Sequence, residues 1–294
     1  MTLYIIGNGF DLAHAIKSQY SDFGDYLSEK YPDYYESISQ GYGNSYALWT
    51  DFETALPSCA TYIEDNGIQM GEEMLDSIDY DPLDDMGIGS WLDSQYRFLN
   101  KLPLYLRRWV ESIDIIKPKL FRLQNDALFL TFNYTATLEK VYSIEPDRVL
   151  HIHGFAEDKK DGLIIGHCDR KIIDWAREKK QEAESVFADT NVSTYDRIIK
   201  YCEQTLKRPD WIIGLHEIFF ENIYNVDQVI VIGHSLNDVD LPYFKKINES
   251  IDKTAHWTVY YHNPGDQNRF RKKMINMGIT NDALKVLPSS DLYL

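Results

Sequence analysis

The run QVIVIGH, residues 228–234, sets four apolar, β-branched residues side by side and then stops at a glycine. A strand with one wet face alternates apolar and polar residues, so an unbroken apolar run suits a strand covered on both faces, as in a parallel or mostly parallel sheet. LYIIG (3–7), ALFLTF (127–132), RVLHIH (148–153), GLIIGH (162–167) and HWTVYYH (256–262) are further short β-rich runs. Most of the gaps between them carry helical patterns. The prediction is an α/β fold built on a doubly wound, mostly parallel sheet.

Outside those runs the period changes. Leu12, Ala15, Ile16, Tyr20, Phe23 and Leu27 recur at three and four residues and predict one helix ending before Pro32. Residues 32–44 are rich in Tyr, Ser and Gly and read as a loop, and a second helix is expected from about Ser45 to Leu56. The stretch 64–90 is the most acidic of the chain, with little periodicity and several glycines. It reads as a solvated surface segment, since its Asp spacing lacks the alternate-ligand pattern and terminal Glu of a calcium loop. A long helix bent at Pro103 is expected over 91–116. The whole of 1–294 reads as one α/β domain with helical insertions at about 32–125 and 168–225.

Bulk properties narrow the function classes. A formal charge of −16 disfavours a protein whose main task is to coat nucleic acid, because phosphate neutralisation needs Lys and Arg on one face. An enzyme for a small anion would have to create positive potential locally, from backbone amides and helix starts. Cys59, Cys168 and Cys202 are widely spaced and odd in number, which argues against a disulfide framework or a four-Cys zinc site and fits a reduced, cytoplasmic setting. No secretory signal and no membrane span is evident.

In an open parallel sheet, ligands bind beyond the carboxyl ends of the strands near the point where strand order reverses. The residues that follow each run are polar: Gly7-Asn8-Gly9-Phe10-Asp11, then Thr131-Phe132-Asn133-Tyr134-Thr135, His151-Ile152-His153-Gly154, Gly166-His167, Gly233-His234-Ser235 on to Asp240, and His262-Asn263. Five of the eight histidines fall there. Each has a plain alternative. Gly7-Asn8-Gly9 suits any tight turn, Asn133 or Ser235 could cap a following helix, and His151 and His153 could be a satisfied pair on one strand face. Their concentration at strand ends is what favours a ligand site.

GNGFDLAH, FNYTATLE, HIHG and IGHSLNDVD, in that order, resemble the bacterial abortive-infection AbiH family, and the set is similar to the core of sirtuin-like NAD-consuming enzymes. The resemblance implies a Rossmann-like doubly wound core and a role in defence against phage. It implies that Gly7, Asn8, Gly9, Phe10 and Asp11 form the first cofactor turn, with Thr131 beside it. Asn133 then takes the place of the catalytic Asn and His153 that of the catalytic base, while Gly233, His234, Ser235 and Asp240 lie around the adenosine side. Two departures stand out. The family pattern has Gly where this chain has Ala15, and the paired cysteines of the sirtuin zinc module are absent, which argues against deacetylation.

Hydrolysis of the nicotinamide glycosidic bond needs a group that orients ribose and water and a base of near-neutral pKa, and it needs no metal. Asn133 and His153 suit those roles. NAD as substrate, or a related nucleotide, is the expected ligand. A phage-derived trigger, a partner defence protein and a homo-oligomer are consistent with such a role, and a membrane is not expected. Two alternatives remain open: a non-catalytic nucleotide-binding or scaffolding module, and a nuclease holding a divalent metal with His153, His167 and His234 together with Asp238 or Asp240.

Overall fold

The computed structural model describes residues 1–42, 47–75, 90, 92, 93, 96–160 and 162–293. In chain order the elements are β1 (Thr2–Ile6), α1 (Asn8–Ala13), α2 (Tyr20–Lys30), α3 (Pro32–Gly41), α4 (Ala47–Thr50), α5 (Phe52–Ala55), α6 (Cys59–Leu75) and α7 (Leu102–Ser112). They continue with β2 (Leu128–Thr131), α8 (Thr137–Tyr142), β3 (Val149–His151), α9 (Lys171–Ser185), α10 (Asp189–Gln204), α11 (Pro209–Leu215) and α12 (Glu217–Asn222). The last are β4 (Gln228–Ile232), α13 (Leu241–Ser250), β5 (His256–Tyr261), α14 (Asp266–Asn276) and β6 (Leu284–Pro288). The chain divides into two compact units, one of residues 1–19, 107–164 and 208–294, the other of 20–106 and 165–207.

The first unit contains the sheet, six parallel strands in the order β3-β2-β1-β4-β5-β6. That is the Rossmann order, and the direction of winding reverses between β1 and β4. The apolar runs are explained by burial on both faces. Leu3 and Ile5 pack with Val229, Val231, Trp257 and Val259 on one face, while Tyr4 and Ile6 pack with Phe10, Phe129, Leu138 and Tyr142 on the other. Tyr4 lies in register with Phe129, their rings stacked at 5.0 Å.

Several local expectations are corrected. GLIIGH is not a strand of the sheet: Ile164 donates its amide to the His153 carbonyl from an irregular segment, and His167 forms only an isolated parallel bridge with Leu206. The sixth strand is instead LKVLP, an edge strand in which Lys285 stays exposed between buried Leu284 and Val286. Residues 32–41 are helical, not looped. Pro32 stands at the start of α3, where a missing N–H costs nothing, and Tyr34, Ile38 and Gly41 line its buried side. Pro103 likewise sits in the first turn of α7 after the 3-10 turn Arg97–Lys101, and does not bend a longer helix. The acidic stretch begins inside α6, and its remainder from 76 to 89 lies outside the described residues.

The predicted first helix is broken after Ala13. His14 and Ile16 both donate to the Asp11 carbonyl and Ala15 donates to Leu12, which closes α1 with Ala15 at φ 55°. This is the left-handed helix-terminating position that glycine fills without strain. Ala15→Gly is therefore expected to stabilise the protein by about 1 kcal/mol, read as a higher urea midpoint at unchanged slope.

Candidate site at the strand switch point

The turns that follow β1 and β4 meet at the switch point, glycine against glycine. Gly9 donates its amide to the Gly233 carbonyl at 2.8 Å, and Gly7 donates to Ile232 at 3.0 Å. A Cβ on Gly7 would lie 2.7 Å from the Gly233 oxygen, and one on Gly9 would lie 2.8 Å from the Gly233 Cα. Gly233 itself has φ +68°. These glycines let two backbones touch. The Phe10 amide is also engaged, on the Gly7 carbonyl at 2.9 Å, and the Phe10 side chain is wholly buried. Asn8 is exposed and exchanges hydrogen bonds with Ser18 through both ends of its amide.

Asp11 is fully buried. Its Oδ2 accepts from the Thr135 hydroxyl at 2.6 Å, while Oδ1 has no hydrogen-bond partner. Burial pushes this carboxyl up from the usual range, against hydrogen bonds from Thr135 and Thr137 that pull it down. A raised folded pKa means a proton held in the native state that the unfolded chain releases. The associated stability is complete below about pH 4, where Asp is protonated in both states, and is lost as pH rises through the native pKa. Asp11→Asn, which cannot titrate, should therefore gain on the wild type as pH rises from 4 to 8. Urea midpoints of both proteins across that range check the sign.

Asn133 stands beyond β2 and ties three motifs together. Its amide nitrogen Nδ2 donates to the Gly7 carbonyl at 3.3 Å, its backbone N–H to the Thr131 hydroxyl at 3.1 Å, and its carbonyl accepts from His151 Nδ1 at 2.9 Å. Its Oδ1 is buried and has no hydrogen-bond partner. Asn133 does not cap a helix, since α8 begins at Thr137 after Ala136. His151 carries more than one constraint. With Nδ1–H given to Asn133, its Nε2 meets Glu139 Oε1 at 2.9 Å, a contact that requires a proton between them.

His153 lies in the turn just beyond β3, not on the strand, and is buried. Its ring meets Phe132 and Tyr243 edge to face at 5.3 and 5.6 Å. Phe132 also contacts His234, at 4.4 Å, so both histidines border one aromatic group formed by the residue after β2 and by α13. Arg107 of α7 holds the following turn through the carbonyls of Phe155, Ala156 and Asp158. His234 Nδ1 accepts the Leu236 amide at 2.9 Å, which puts its proton on Nε2, facing Asp240 Oδ2 at 3.3 Å. Ser235 is exposed and does not cap α13, which begins at Leu241. Its carbonyl accepts from Arg269.

His167 belongs to the second unit. Its Nε2–H donates to the Cys202 carbonyl at 3.0 Å and its Nδ1 accepts the Asp169 amide at 3.0 Å, so both nitrogens serve the local backbone. Burial pushes its pKa down. His262 is exposed beyond β5. Among the described residues, no group of three or more His, Cys, Asp or Glu is placed to hold a metal ion.

Three partners escaped the sequence reading although the quoted motifs contain two of them. His14 gives Nδ1–H to the Phe10 carbonyl and accepts from Tyr142, whose hydroxyl also takes the amides of Leu120 and Phe121. Glu139 closes the contact to His151. For His14 and Glu139 the signal was presence inside GNGFDLAH and FNYTATLE, since a buried polar residue needs a partner.

Fold and geometry thus define a class: an α/β protein with Rossmann strand order whose four polar motifs join in one hydrogen-bonded network at the switch point. The chain belongs to the bacteriophage abortive infection AbiH family, whose model matches residues 3–261. No curated protein and no solved structure matches it. No helix among the described residues is long and apolar enough to cross a membrane.

Proposed function

We propose that this AbiH protein is an abortive-infection effector that hydrolyses NAD to nicotinamide and ADP-ribose. In this reading the bond between the ribose C1′ and the nicotinamide nitrogen breaks, nicotinamide leaves neutral, and water adds to the sugar. Asn133 orients the ribose and the water, and His153 takes the water proton. The observation that carries the proposal is the Asn133 side chain. It is buried at the carboxyl end of β2, anchored through Nδ2 to the Gly7 turn, with an Oδ1 that has no hydrogen-bond partner and is free to accept from a hydroxyl. The Rossmann strand order and the motif order that resembles sirtuin-like enzymes add support.

A second reading, a non-catalytic nucleotide-binding or scaffolding module, has an observation of its own. The amides of Gly7, Gly9 and Phe10, which a pyrophosphate would use, are engaged within the protein. The two readings separate in infected cells. If the proposal holds, NAD falls before lysis in cells carrying the protein, and it does not fall in cells carrying His153→Ala. A scaffold would protect equally in both and leave NAD level.

A further inference from the structure

We propose that Trp211, Leu215 and Ile218 form the surface through which two copies of this chain pair, antiparallel, across a two-fold axis just before Leu215. The inference is independent of NAD hydrolysis and concerns the first unit alone.

α11 and α12 carry apolar residues on two opposite faces. Ile212, Phe220 and Ile223 are buried in the core, while Trp211 is 59% exposed, Leu215 56% and Ile218 74%. His216 joins the two helices without turning their faces apart: its amide donates to the Ile213 carbonyl at 3.1 Å, and its own carbonyl accepts from Phe219 at 2.9 Å. Trp211, Leu215 and Ile218 follow one another at spacings of four and three, so they fall in one stripe on the side away from the core. A single exposed apolar residue is ordinary, whereas a contiguous apolar stripe marks an interaction surface. Trp is among the residues that most often anchor one.

The charges at the two ends of the stripe select the occupant. Arg208 stands before it and Glu221 after it, both exposed and neither with an ion-pair partner among the described residues. Arg208 is the only Lys or Arg from 208 to 244. Basic at one end and acidic at the other, the stripe is complementary to itself turned end for end, and to neither a uniformly acidic nor a uniformly basic surface. The spacing fits that pairing. Trp211 lies four residues before Leu215 and Ile218 three after it, Arg208 seven before and Glu221 six after, so both pairs share one axis. Each copy then sets its Trp211 on the other's Ile218 and its Arg208 beside the other's Glu221, with the two Leu215 side chains meeting at the axis, the reciprocal contacts of a two-fold interface. A parallel pair would instead set arginine on arginine and glutamate on glutamate.

The test is sedimentation equilibrium of the purified full chain as wild type, Leu215→Glu, Arg208→Glu, Glu221→Arg and the double variant Arg208→Glu/Glu221→Arg. The expected result is a concentration-dependent dimer in the wild type, weakened about a hundredfold or more in Leu215→Glu, which brings two like charges together in an apolar contact. Each single charge variant should weaken the dimer about tenfold or more, since it sets like charges against each other, and the double variant should return to within about threefold of the wild type. Unchanged circular dichroism in all five excludes unfolding as the cause. A monomer at every concentration up to about 0.1 mM, a dimer unaffected by Leu215→Glu, or a double variant as weak as the single ones would each overturn the proposal. So would a monomer that binds phosphatidylglycerol vesicles through Leu215.

Discussion

Gly233→Ala is expected to lower stability by about 3 kcal/mol or more, the sum of left-handed strain and backbone overlap. A Cβ there would fall on the Phe10 amide nitrogen and lie 2.6 Å from the Gly9 carbonyl carbon, and neither neighbour is a side chain that could swing aside. Relief would require separating the β1 and β4 turns, breaking the bond from Gly9 N–H to the Gly233 carbonyl. Gly214→Ala is the control. It lies in α11 with nothing within 4 Å of the added carbon, so it should be neutral or stabilising by up to about 1 kcal/mol. Urea denaturation of the pair separates a requirement for glycine at the switch point from a general intolerance of substitution.

Under the proposed hydrolysis, the second large effect falls on turnover. Asn133→Ala and His153→Ala should each reduce nicotinamide release by about a hundredfold or more, the range of a lost positioning group or general base. The two should differ in stability. The Asn133 side chain bonds the Gly7 carbonyl, so removing it also loosens the network, whereas His153 contributes ring contacts to Phe132 and Tyr243 from a turn. His153→Phe, which keeps ring packing and removes the imidazole, should therefore fold like the wild type and, under the proposed hydrolysis, still be inactive.

Much of the sheet was legible because burial on both faces leaves an unbroken apolar run. β1, β2 and β4 are read directly from LYII, LFLT and QVIVI. β6 was missed for the same reason, since an edge strand with Lys285 at its middle does not look like a covered one. GLIIGH resembles a strand in sequence because Leu163 is buried and Ile164 packs on the core from irregular backbone, and apolar content alone does not distinguish that from a strand. Pro32 and Pro103 read in sequence as a stop and a bend, although each stands at a helix start.

The site was legible as motifs and not as bonds. Spacing predicted that polar residues would gather beyond the strands, and Gly7, Asp11, Asn133, His151 and Gly233 do join in one network. It could not show that Gly9 meets Gly233, that Asp11 is paired to Thr135, or that His151 is committed to Glu139, because each pairing joins residues from separate motifs. His167 shows the converse: it matched the strand-end pattern in sequence and serves a backbone turn in the other unit.

NAD hydrolysis is tested most directly by nicotinamide release from NAD by wild-type protein purified from phage-infected cells, with and without EDTA, beside Asn133→Ala and His153→Ala. Release should equal the ADP-ribose formed, be unaffected by EDTA and be lost in both variants. Intact NAD after incubation with protein that binds it, or release that persists in both variants, would contradict it.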